Sequence, residues 1–93
     1  MSDRTDLLAH AATLIDGDRN ATYGPPTEHH AATAAAWSAV FGVQFTASDV
    51  ARAFIIDKLV RLSRSPGHRD SWADIAGYAG CGWESAVEAA RHG

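Results

Sequence analysis

The chain has 93 residues, 46% of them hydrophobic, a net charge of −3 and one cysteine. That length is one domain, residues 1–93, with a modest core. The charge excludes a general binder of extended nucleic acid, the lone Cys81 excludes an internal disulfide, and with neither a membrane-spanning run nor a signal peptide the expected location is cytoplasmic.

The spacing of Leu7, Leu8, Ala11, Ala12, Leu14 and Ile15 predicts a first helix over Asp6–Ile15. Thr5 or Asp3 is its expected cap, and Gly17 its expected left-handed terminus. The segment that follows, Asp16 to Pro26, holds Gly17, Asp18, Arg19, Asn20, Tyr23, Gly24 and two prolines. A plain connector between helices needs about two to eight residues and none of this chemistry, so ligand contacts are expected here.

Pro26 or Thr27 opens a second helix, to Phe41, through the alanine-rich run 31–36. Trp37, Val40 and Phe41 are its expected apolar anchor and Gly42 its stop. Val43-Gln44-Phe45 is too short to assign as a strand. Thr46 and Asp49 form a capping-box pattern for a third helix, in which Val50, Phe54, Ile55, Leu59 and Leu62 keep helical spacing to about Arg64. Ser65-Pro66-Gly67 breaks it. A fourth helix starts near Asp70 or Ser71 and frays toward Arg91-His92-Gly93, with Trp72, Ile75, Ala76, Ala79 and Trp83 as its expected buried face. The reading is an all-α bundle of about four helices, the last two an antiparallel hairpin. Alanine-rich helices on so short a chain suggest a homo-oligomer, most simply a dimer through the last two helices.

Lys58 and Arg61 share a helix face, as do Asp70, Asp74 and Tyr78. A hairpin centred near Gly67 brings Arg61 level with about Asp74, and Lys58 level with Gly77 or Tyr78. These charges can form interhelical salt bridges, or Asp57 can pair with Arg61 at the surface. They can equally build an anion site, with the guanidinium of Arg61 suited to bidentate phosphate contact. In the loop, Arg19 can hold phosphate, Asn20 can read a polar edge, and Tyr23 can stack on a base or brace the loop. The adjacent His29 and His30 point to different sides of a helix and make no chelating pair, so no metal site is expected. Gly77, Gly80 and Gly82 on a helix predict close approach by the second helix or by another subunit. Cys81 is expected to be packed. No catalytic set is apparent.

The string Gly17-Asp18-Arg19-Asn20-x-x-Tyr23-Gly24-x-Pro26, Trp37, Lys58-x-x-Arg61 and Asp70-Ser71-x-x-Asp74-Ile75-x-Gly77-Tyr78 resembles a group of short, uncharacterised, phage-borne helical proteins. Residues 58–78 are also loosely similar to the MazG-type all-α nucleoside triphosphate pyrophosphohydrolases. Those enzymes hold Mg²⁺ with Glu-x-x-Glu and Glu-x-x-Asp. This chain has no Glu-x-x-Glu, and Asp70 and Asp74 are four apart rather than three.

The expectation is therefore a small anionic, nucleotide-type ligand held by Arg19, Asn20, Tyr23, Lys58, Arg61, Asp74 and Tyr78, with no cofactor and with catalysis absent or very slow. In a phage setting, such a protein would sequester a nucleotide signal of host defence. The alternatives are a Mg²⁺-dependent MazG-like hydrolase and a protein-interaction module.

Overall fold

The computed structural model describes residues 2–17 and 24–92, and among them the secondary structure is four helices with no strand. These are α1 (Asp3–Asp16), α2 (Pro26–Phe41), α3 (Ala47–Arg64) and α4 (Arg69–His92).

α1 starts three residues earlier than predicted because Ser2 caps it, its hydroxyl accepting from the Thr5 N–H at 3.3 Å. Asp3 and Asp6 add negative charge in the first turn, where it favours the positive end of the helix dipole. Gly17 ends the helix but is not left-handed, with φ −93° and ψ −151°. Glycine is needed there for a different reason: a Cβ would sit 2.6 Å from the Thr13 carbonyl oxygen.

α2 opens on Pro26, whose fixed φ suits the first helical position. It stops at Gly42, left-handed at φ 68°, whose N–H donates to the Ser38 carbonyl at 3.0 Å. The Phe45 N–H donates to Ser38 Oγ at 2.9 Å, folding 43–45 back on the helix as a turn. Trp37 meets Phe45 and Phe54 edge-on, with ring centroids 5.7 and 5.9 Å apart. Val40 and Phe41 are exposed, so Trp37 alone of the expected anchor points inward.

The predicted capping box opens α3: Thr46 Oγ1 accepts from the Asp49 N–H at 3.1 Å, and Asp49 Oδ2 accepts from the Thr46 N–H at 2.9 Å. The Thr46 backbone bond is the main reason the Asp49 carboxyl lies below its ordinary range. α3 buries Val50, Ala51 and Leu62, while Leu59 is half exposed.

α3 and α4 form the antiparallel hairpin and share the most extensive packing in the molecule; α1 packs on α4, and α2 on α3. The side of α4 that is buried is not the predicted one. Ser71, Ala73, Gly77, Cys81 and Ser85 are buried, four of them spaced by four, whereas Trp72 and Trp83 are 45% and 72% exposed and Ala79 is exposed. Small residues along that ridge let neighbouring helices come close. A Cβ on Gly77 would lie 3.1 Å from Ile15 Cγ2, and one on Gly82 would lie 3.1 Å from Ala51 Cβ. The glycines therefore admit α1 and α3 of the same chain, rather than α2 or another subunit. Two indoles on this ridge would hold those helices apart.

A cleft lined by His30, Tyr78 and Asp74

α1, α2 and α4 leave a cleft of about 400 Å³, with Phe54 of α3 in its wall. Leu14 and Ile15 supply apolar wall from the end of α1, and Gly24 and Pro26 line it where the chain enters α2. Gly77 contributes bare backbone, which keeps the wall of α4 low. His29, His30, Asp74 and Tyr78 are the polar members of the lining, and Cys81 is also present.

The residues around His30 explain how the cleft is held open. Phe54 and Tyr78 have centroids 5.2 Å apart, and His30 lies 5.6 Å from Phe54 and 6.0 Å from Tyr78. These separations are within the range of favourable aromatic contact. The cluster joins α2, α3 and α4 around one buried imidazole. His30 is only 3% exposed, and its Nδ1 has no hydrogen-bond partner among the described residues. Burial, followed by the neighbouring His29, pulls its pKa below the ordinary 6.5. The neutral form of the ring is favoured, and its Nδ1 is unpartnered among the described residues. An orphaned buried polar group carries a desolvation penalty of about 1–3 kcal/mol, which a ligand donor or acceptor would relieve.

Asp74 ties the cleft to α3. Lys58 Nζ lies 3.1 Å from Asp74 Oδ2, and both side chains are mostly covered, at 18% and 29% exposure. The register differs by about one turn from the predicted one: Lys58, not Arg61, is level with Asp74. Arg61 instead pairs with Asp57 at 3.5 Å on the outer surface, with both side chains about 60% exposed. Asp70 is exposed at the start of α4 and does not line the cleft. Among the described residues no group of three or more His, Cys, Asp or Glu could hold a metal ion. No helix among them is long and apolar enough to cross a membrane.

Of the residues singled out in the sequence, the structure thus brings Asp74 and Tyr78 to the cleft directly and Lys58 through its pair with Asp74. Arg61 stands apart. Arg19, Asn20 and Tyr23 lie outside the described residues, although Ile15 and Gly24, close on either side of that segment, both line the cleft. His30 was missed as a site residue. Its sequence signal was weak: His30 stands one helical turn before Ala34, on the face that turns inward, but it directly follows the polar Thr27, Glu28 and His29. Cys81 is buried as expected, and burial, with Glu84 and Asp16 adding to it, raises its thiol pKa, so it is a poor nucleophile.

Residues 6–86 match the family model described as a domain of unknown function, DUF6378. The chain is 40% identical over 75 residues to the Gene 55 protein of Mycobacterium phage D29, and 41% identical over 75 residues to that of Mycobacterium phage L5. Those alignments cover 81% and 80% of this chain but 50% and 48% of the relatives, so the chain spans about half their length. No solved structure matches the chain significantly.

Proposed function

Because this chain belongs to the DUF6378 family, a family with phage members and no assigned activity, we propose its role from the cleft itself: it binds a small nucleotide-type ligand, ring inward. The observation that carries this is His30, a buried imidazole whose Nδ1 has no hydrogen-bond partner among the described residues, in a partly aromatic cleft. A planar heterocycle would stack against Tyr78 and take a hydrogen bond from or to His30. Its phosphates would extend toward the cleft mouth. There Lys58, through its pair with Asp74, would add positive charge, and Arg19 and Asn20, which lie outside the described residues, are the further phosphate and polar-edge candidates. Tyr23, from the same segment, would stack on the ring or brace the segment. Arg61 has the weakest claim, because it faces away and has its own partner.

A binder with no evident catalytic set would act by sequestration. In an infected host cell that would place it in the cytoplasm, drawing down a nucleotide signal made against the phage. The MazG-like reading remains the rival. It would use Asp74 as one oxygen ligand for Mg²⁺, and it would show as pyrophosphate release lost in Asp74→Asn.

A thermal-shift screen against linear and cyclic nucleotides, with and without Mg²⁺, tests the proposal. A ligand at 100 times its Kd should add about 2.7 kcal/mol to native stability. His30→Phe keeps the aromatic packing and removes the polar handle, so it should weaken the best hit about tenfold, the equivalent of one ordinary hydrogen bond. If no nucleotide stabilises the protein, or if His30→Phe binds as tightly as wild type, the cleft is not this site.

A further inference from the structure

The outward face of α4 carries Trp72, Ala76, Ala79, Trp83, Ala86 and Ala90. Their successive spacings are four, three, four, three and four residues. That is the seam of a coiled coil, on a helix whose buried side is the opposite, small-residue ridge. All but the partly covered Ala76 are exposed, and Trp83 is the most exposed aromatic residue of α4. The flanking positions Ile75, Gly80, Gly82 and Val87 are uncharged as well, so nothing along the seam repels a second helix. A solvated face of a single-chain bundle would be expected to carry charge here.

The geometry points to a second copy of this chain as the occupant, its α4 antiparallel to the first about a two-fold axis near residue 81. The pattern is self-complementary in that register, whereas a parallel, in-register pair would set each indole against its own copy. Trp72 falls opposite the partner's Ala90, Ala76 opposite the partner's Ala86, and Ala79 opposite the partner's Trp83. Each indole thus meets an alanine, and every seam position meets another seam position, as a two-fold interface requires.

The area is also of the right scale. The seam from Trp72 to Ala90 is about 27 Å long at 1.5 Å per residue. Leu59 of α3, exposed at 50%, would widen it. The hairpin register set by Lys58 and Asp74 brings Leu59 level with Ala73–Ile75, and helical spacing puts it on the same side as Ile75. A face two helices wide, roughly 20 Å, has a projected footprint of roughly 500–600 Å², and its accessible area is larger. A stable dimer needs about 800 Å² per partner. The seam lies away from the cleft, so this inference does not depend on the ligand.

Light scattering on a sizing column and cysteine cross-linking test it, with circular dichroism melts as the folding control. Wild type at about 100 μM should have a dimer mass, and Trp83→Glu and Ala79→Glu, both at exposed positions, should be folded monomers. With Cys81→Ala as background, the double variant Ala76→Cys, Ala86→Cys should form a covalent dimer on mild oxidation. Ala76→Cys alone should not, because its two copies would lie about 15 Å apart along the axis, beyond the reach of a disulfide. A monomeric wild type, a folded Trp83→Glu that stays dimeric, or efficient cross-linking through Ala76→Cys alone would each overturn the proposal.

Discussion

The two sides of α4 reverse the usual arrangement. The buried side carries Ala73, Gly77, Cys81 and Ser85, and the solvent side carries both of the helix's tryptophans. Periodicity identifies an apolar stripe correctly but does not say what covers it. Two stripes compete on this helix, one large and one small. The small one wins the intramolecular contact because three helices can then approach it closely. The large one is left for whatever meets the molecule from outside.

The strongest way to break the comparison is to enlarge the buried ridge. Gly77→Leu would push side-chain atoms into Ile15, already 3.1 Å from where a Cβ would stand. It should cost about 3 kcal/mol, read from urea unfolding, and should loosen α1.

The two ion pairs give the next contrast. Asp74→Asn leaves the mostly covered Lys58 without its counter-charge and should cost about 1–2 kcal/mol, between the values for exposed and fully buried pairs. Asp57→Asn, at the exposed pair with Arg61, should cost no more than about 0.5 kcal/mol.

pH supplies a third test. The pKa of His30 is lowered in the fold, so the unfolded chain takes up its proton first as pH falls. The stability tied to neutral His30 is full above about pH 6.5 and is lost as pH falls below it toward the folded-state pKa. His30→Phe should flatten that limb of a stability–pH curve measured by denaturant unfolding; an unchanged slope would mean that burial does not suppress protonation of this ring.

The smallest effects sharpen the contrast between the two faces. Gly80→Ala should stabilise by about 0.5–1 kcal/mol, because a Cβ there has ordinary contact with Ile15 at 3.6 Å. Trp83→Gln, in protein dilute enough to be monomeric, should change unfolding free energy by no more than about 0.5 kcal/mol. A buried tryptophan would cost several times that.

Helix number, order and most boundaries were legible in the sequence because their signals are local. Pro26, Gly42, the Thr46–Asp49 box and the Ser65-Pro66-Gly67 break each act within a few residues. That Asp74 and Tyr78 share a face was legible for the same reason, since four-residue spacing fixes it, and both line the cleft. The register between α3 and α4 was not local. One turn of error moved Arg61 from the polar seam to the surface and put Lys58 in its place. His30 was obscured because its neighbours, Phe54 and Tyr78, come from distant parts of the chain.

α1 leans on the rest of the molecule almost wholly through α4. Its key of Ile15 against Gly77 and Gly80 involves one side chain and no charge pair. Detaching α1 would leave the α2–α3–α4 packing in place while uncovering Leu14, Ile15 and the cleft wall. α1 is therefore the natural first unit to open, and its amide protons should exchange with solvent sooner than those of α3. A ligand seated against Ile15 would slow that exchange from a distance, giving occupancy of the cleft a readout along the whole of α1.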